Sequence, residues 1–146
     1  IMYTIRKMTR LDIEPVGEIE AISFGDPWSK KSMEDIFTYG DNHYYVAIED
    51  NRIIGFAGIM KVLDEADLVN IAVNPIYRGK GVGKLLMEEI LHQSKELNIA
   101  KITLEVRASN FSAIRMYNKF DFVHIATRKD YYVNPIENAL IMQREL

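Results

Sequence analysis

The sequence contains no cysteine. The chain therefore forms no disulfide and has no thiolate chemistry, and no acyl group can rest on a cysteine. A cysteine-free chain suits a reducing compartment, and the expected location is the cytoplasm. Proline is scarce, at 4 residues. No stretch rich in Gly, Ser or Pro reads as a linker, and no repeat or low-complexity tract interrupts the chain, so residues 1–146 read as a single domain. No apolar run approaches the roughly 18 residues of a membrane span. The opening residues, Ile1 to Lys7, lack the apolar core of a signal peptide and read as a short strand. The net charge of -3 argues against a broad electrostatic grip on nucleic acid. His43, His92 and His124 have no ligand-like spacing and no cysteine beside them, so no metal site is expected.

What is present is an ordinary globular composition, 48% hydrophobic and 27% charged. A domain of this size buries about two-thirds of the surface its unfolded chain exposes. The element pattern is β-α-α-β-β-β-α-β-α-β-β. Tyr3 to Lys7 alternates as a strand. Thr9 or Asp12 caps a helix running to Ile22, and Ser29 caps a second, short one. Tyr44–Glu49 and Arg52–Val62 are strands joined at Asp50-Asn51, and Ala66–Val73 follows. Gly81 to Asn98 is the clearest helix, with Val82, Leu86, Ile90 and Leu97 at helical spacing. Lys101–Val106 is a strand, Asn110–Phe120 a helix, and Phe122–Thr127 and Ala139–Arg144 are the closing strands. Antiparallel strands come first and βα units follow. This predicts an α/β fold of α+β type: a mixed, mostly antiparallel twisted sheet of about seven strands flanked by about four helices.

The sharpest local signal is Arg78-Gly79-Lys80-Gly81-Val82-Gly83-Lys84, between a strand and the long helix. Glycines let backbone amides approach a ligand closely. A helix start adds unpaired N–H groups and a positive dipole end, which together bind phosphate. A Walker A loop would place a Ser or Thr after the lysine, whereas Leu85 follows Lys84. A dinucleotide fingerprint would place glycine where Lys84 stands. Without a ligand, Gly79 and Gly81 would simply relieve backbone strain in the turn.

The pattern Arg-x-x-Gly-x-Gly at Arg78, Gly81 and Gly83, after Asn70-Ile71-Ala72-Val73-Asn74-Pro75, resembles the acetyl-CoA signature of the GNAT N-acetyltransferases. The order of elements resembles that family over the whole chain. Phe24 to Ser29, Asp64-Glu65-Ala66, Leu104 to Asn110, Ala113 to Tyr117 and Arg128 to Tyr132 further resemble its RimI-type branch. That branch acetylates the N-terminal α-amine of a ribosomal protein. The resemblance implies acetyl-CoA as co-substrate and a protein or peptide N-terminus as acceptor. It implies that the backbone of Ile71, Ala72 and Val73 runs beside the pantetheine arm, where the strand splays from its neighbour. Arg78, Gly79, Lys80, Gly81, Val82, Gly83 and Lys84 would hold the pyrophosphate, and Asn110 would touch the pantetheine. Glu105 matches the position of the general base and Tyr117 that of the general acid.

Chemistry supports such a pair. An amine attacks a thioester only when neutral, and an α-amine titrates at about 7.7–8.0 against about 10.4 for lysine. A carboxylate at a strand end can take the proton directly or through water, and a phenol can supply one to the leaving thiolate. Read without the resemblance, Glu105 is a solvated carboxylate and Tyr117 a packed aromatic. On the acceptor side, Phe24, Pro27, Asn70, Tyr131 and Tyr132 are the expected groove residues. Trp28 is equally a loop anchor, and Glu20, Asp26, Asp64 and Glu65 are acidic groups able to attract a positive N-terminus. Two other readings stand beside this one. The first is a lysine or small-molecule amine acetyltransferase of the same fold. The second is a non-catalytic acyl-CoA-sensing module, which would need neither Glu105 nor Tyr117.

Overall fold

The strand periodicity of the sequence is met in a computed structural model that describes residues 2–24 and 27–146. The strands are β1 (Thr4–Lys7), β2 (Asp41–Glu49), β3 (Arg52–Val62), β4 (Glu65–Val73), β5 (Lys101–Arg107), β6 (Val123–Val133) and β7 (Ile136–Glu145). The helices are α1 (Ile13–Ser23), α2 (Lys30–Asp35), α3 (Val82–Glu96) and α4 (Phe111–Lys119). They form one seven-stranded sheet in the order β1-β2-β3-β4-β5-β7-β6. All neighbours are antiparallel except β4 and β5.

Local chemistry accounts for the element ends. Asp50 and Asn51 take left-handed φ values of 48° and 62°, as the tight turn between β2 and β3 requires. The Ser29 hydroxyl accepts from the Ser32 N–H at 3.1 Å and caps α2. Asn110 does the same for α4, accepting from the Ala113 N–H at 3.3 Å. Arg6 on β1 grips Asp12 with both terminal guanidinium nitrogens, at 2.7 and 2.9 Å, and so fixes the entry to α1.

Two apolar clusters sandwich the sheet. On one face α3 and α4 pack with Val82, Leu86, Met87, Ile90 and Tyr117 against Ala57, Ile59, Leu68, Leu104 and Met142. On the other, α1 and α2 pack with Val16, Ile19 and Met33 against Tyr44, Val46, Phe56 and Ala72. This second cluster contains no residue of β5, β6 or β7, so α1 and α2 do not pack over that half of the sheet, although Ala139 and Ile141 of β7 are buried on that face.

β6 differs from expectation. It runs on past Thr127 to Val133, and β7 begins at Ile136, ahead of Ala139. β6 is an edge strand on which almost every residue is exposed. Its far half, Arg128-Lys129-Asp130, carries no apolar alternation because there is no core for it to face.

Candidate active site

The site begins with an irregularity in β4. Gly58 pairs with Asn70 and the next residue, Ile59, pairs with Leu68, so Val69 is an unpaired extra residue. One inserted residue reverses which side chains face which way. Before the bulge, Ala66 and Leu68 enter the α3 cluster; after it, Ile71 and Val73 do. Asn70 and Ala72 turn to the α1 face, where Asn70 is buried and Ala72 joins the other cluster. The bulge also turns β4 away from β5. Only Glu65, Ala66 and Asp67 pair with β5, opposite Lys101, Ile102 and Thr103. From Leu68 to Val73 the strands part, leaving a cleft edged by β4 main chain with no ladder partner on the β5 side.

One end of this cleft leads to the glycine-rich turn. A single 3-10 turn, Pro75–Tyr77, is capped by Asn74, whose Oδ1 accepts from the Ile76 N–H at 3.1 Å. Gly79 and Gly81 have φ values of +76° and +84°. A side chain at either would meet no atom within 4 Å, so backbone conformation and not space calls for glycine there. Gly81 caps α3 without a side chain, and the first N–H groups of the helix are left for a ligand. Lys80 and Lys84 are exposed beside them, with the Lys80 ammonium 5.7 Å from the centre of the Tyr77 ring. Arg78 is exposed, and its Nε donates to the Val73 carbonyl at 3.2 Å, which ties the turn to β4. The Val82 side chain is buried in the core. A Cβ on Gly83 would touch Met116 Sδ at 3.4 Å, so this glycine lets α3 lie close to α4.

Glu105 lies on β5 two residues beyond Thr103, where β4 has already turned away. Its side chain is 31% exposed and its Oε1 is 3.7 Å from the Arg128 guanidinium. Tyr131 leans on it: hydrogen bonding to Glu105, and then its charge, raise the Tyr131 phenol above its ordinary range. Tyr132 packs edge-on against Tyr131, with ring centres 5.1 Å apart. Burial first, and the Glu105 charge second, raise the Tyr132 phenol as well. Asp67 adds a second carboxyl; burial, then Glu105 and Glu65, push it above the usual carboxylate range.

Tyr117 is only 6% exposed and packs 5.9 Å from Phe122. Burial, with a smaller contribution from Tyr132, drives its phenol well above the ordinary range, so it holds its proton at neutral pH. Among the hydrogen bonds of the described residues, none uses the Tyr117 hydroxyl.

The structure therefore brings Glu105, Tyr131 and Tyr132 together, with Tyr117 close enough to Tyr132 for their charges to couple. Asn110 spends its side chain on capping α4. Asn70 donates to both oxygens of Glu20, at 3.2 and 2.9 Å, and accepts from the Tyr44 hydroxyl at 3.4 Å. The Trp28 N–H adds a 3.4 Å bond to the same carboxylate. Tyr44 reaches Asn70 by lying directly over Gly58, where a Cβ would collide with its ring. Phe24 and Pro27 are exposed at the end of α1, and Gly25 and Asp26 between them lie outside the described residues. Sequence reasoning missed the Val69 bulge, Asp67 and Arg128. The bulge had a signal: the apolar alternation of β4 changes phase between Leu68 and Ile71.

A cleft between parted strands that leads to a phosphate-type helix start suits a long acyl donor with a phosphate tail, and this marks an acyltransferase architecture. The acetyltransferase (GNAT) family model matches residues 13–122, and the chain belongs to that family. It is 41% identical over 145 residues to the [ribosomal protein bS18]-alanine N-acetyltransferase of Haemophilus influenzae, covering 97% of each chain. Its fold superposes on the crystal structure of the ribosomal-protein-S18-alanine N-acetyltransferase from Escherichia coli with a TM-score of 0.92, at 32% identity over 99% of this chain and 94% of that one. Ard1 from Thermoplasma volcanium superposes with a TM-score of 0.90, at 31% identity over 100% of this chain and 99% of that one. Among the described residues, no helix is long and apolar enough to cross a membrane.

Proposed function

We propose that this chain moves an acetyl group from acetyl-CoA to the N-terminal α-amine of a protein, with the N-terminal alanine of ribosomal protein bS18 as its acceptor. The observation that carries the reading is the parting of β4 from β5 with Glu105 beside the opening. The relatives named for bS18-alanine acetylation support the choice of acceptor.

The residues present fit acetyl-CoA. The free amides at the start of α3, with Lys80 and Lys84, suit its pyrophosphate. The unpaired edge of β4 around Ile71, Ala72 and Val73 suits the amide-bearing pantetheine arm. When bound, acetyl-CoA supplies an acetyl group activated as a thioester. Glu105 takes the proton of the incoming ammonium, directly or through water. It has little to do for an α-amine titrating at about 7.7–8.0 and far more for a lysine at about 10.4. Tyr117 keeps its proton on a largely buried ring and can give it to the departing sulfur. Tyr131 and Tyr132 form one wall of the acceptor groove on the half of the sheet that α1 and α2 do not cover, with Phe24 and Pro27 at the end of α1 as the other. Asn70, bonded to Glu20 and Tyr44, holds α1 onto β4 behind that groove.

The test is acetyl transfer to short peptides with free N-termini, among them one with the bS18 N-terminal sequence, beside N-blocked lysine peptides and polyamines. Product on free N-termini with preference for the bS18 peptide supports the proposal. Product on lysine or polyamines alone overturns the acceptor. Acetyl-CoA binding with no product on any acceptor favours the sensing module.

A further inference from the structure

The sheet holds only part of the acceptor wall: Tyr132 pairs with Glu137 of β7, and Tyr131 has no ladder partner. Tyr131 and Tyr132 lie on the edge strand β6, whose pairing with β7 breaks between Arg128 and Tyr132. The ladder therefore does not hold Tyr131, and no residue of β6 enters either apolar core cluster. Asn138 supplies one tie, accepting from the Asp130 N–H at 3.0 Å.

We propose that Arg107 and Glu137 are a positioning pair that sets the β6–β7 hairpin, and with it Tyr131 and Tyr132, at the acceptor groove beside Glu105. The inference rests on the reading of the site given above. Arg107 stands on β5 two residues after Glu105, on the same face of the strand. Its Nη1 donates to the Pro135 carbonyl at 3.0 Å and to Glu137 Oε2 at 3.4 Å. Its Nη2 donates to the Asn134 carbonyl at 3.4 Å. The guanidinium carbon lies 4.2 Å from the centre of the Tyr132 ring. One side chain thus holds the tip of the hairpin by its carbonyls and the wall by an aromatic face.

Glu137 extends the brace to a third element. Its other oxygen accepts from the Ser109 N–H at 2.6 Å, at the turn that leads into α4 and Tyr117. Ser109 and then Arg107 hold the Glu137 carboxyl below the usual range. The strand of the base, the helix of the acid and the acceptor wall therefore meet at a single ion pair. The contact needs arginine. Its planar fork reaches two carbonyls and a carboxylate while its flat face stacks, and a lysine ammonium does not do both.

The test compares the full chain with Arg107→Ala, Arg107→Lys, Glu137→Gln, Tyr132→Ala and the Arg107→Ala/Tyr132→Ala double variant. Arg107→Ala raises the peptide KM about tenfold with a smaller change in kcat, because uniform acceptor binding is what is lost. Its affinity for acetyl-CoA stays within about twofold of the parent, since the helix start is untouched. Arg107→Lys resembles Arg107→Ala more than the parent, and the double variant loses less than the product of the two single losses. An unchanged peptide KM, a matching loss of acetyl-CoA affinity, or losses that multiply in the double variant each overturn the proposal.

Amide hydrogen exchange over residues 129–138 reads the brace without turnover. It quickens in Arg107→Ala and less so in Glu137→Gln, and unaltered exchange refutes the brace. If the parent acetylates no N-terminus, the exchange result still decides the brace, and the failure belongs to the acceptor reading. If Arg107→Ala does not fold, Arg107→Lys and Glu137→Gln carry the same comparison.

Discussion

Tyr117→Phe removes a single oxygen atom from the candidate acid and nothing from the packing around it. The ring is 6% exposed and lies 5.9 Å from Phe122, contacts that phenylalanine keeps. The hydroxyl has no hydrogen-bond partner among the described residues, so no donor or acceptor is orphaned by its loss. Stability should therefore stay within about 0.5 kcal/mol of the parent, the range of substitutions that leave no cavity and no unpaired polar group. Turnover should not. A positioned general acid contributes typically 10²- to 10⁴-fold, or about 2.7–5.4 kcal/mol of transition-state stabilisation. The measurement pairs steady-state acetyl transfer at saturating acetyl-CoA with thermal or urea unfolding of the same preparation. Turnover within about threefold of the parent, with stability unchanged, refutes the acid role. A loss of more than about 1 kcal/mol in stability refutes the packing argument, because it means the hydroxyl was satisfied in the folded state. The pH profile adds a second check. Burial raises the Tyr117 phenol, so the protonated form persists above the ordinary phenol range and this group imposes no alkaline limb below about pH 10.

Other perturbations give equally definite outcomes. Glu105→Gln should lower kcat/KM at neutral pH by about 10²-fold or more, and the deficit should shrink above about pH 8 as the α-amine loses its proton unaided; a deficit independent of pH would point to a structural role. Gly81→Ala forces a non-glycine residue to a φ of +84°, which should cost about 1–2 kcal/mol and weaken acetyl-CoA binding measured by calorimetry. Glu20→Ala strands the Asn70 amide and the Trp28 N–H without their acceptor, and denaturant unfolding should show a loss of about 2–3 kcal/mol. Burial raises the Glu20 carboxyl in the folded state. The stability linked to it is thus fully present below the unfolded pKa of about 4.3 and is lost as pH rises through the higher folded value. Glu20→Gln should remove that decline, and identical pH–stability curves for the two proteins would count against a buried, strained carboxylate.

Much of the candidate site is legible in the sequence because its parts are local. The glycine turn announces itself through residues whose backbone conformation excludes side chains, and Gly79 and Gly81 do take positive φ. Ser29 and Asn110 cap the helices they precede, since capping needs only a side-chain oxygen two or three residues from an open amide. The alternation of Ile102, Leu104 and Val106 put Glu105 on the opposite face of its strand from the core. What these patterns lack is any record of which strands meet or where they part. The Val69 bulge, the separation of β4 from β5 after three rows, and the extension of β6 to Val133 depend on pairing between distant segments. The Arg107 bonds to Asn134, Pro135 and Glu137 likewise join residues nearly thirty positions apart. By itself the sequence determined the order of elements and the helix start suited to phosphate, because backbone conformation and side-chain periodicity act over a few residues; the acid–base roles proposed for Glu105 and Tyr117 follow only from the family resemblance. Only the tertiary structure decided the cleft and the orientation of its walls, because strand register is set by packing across the whole sheet.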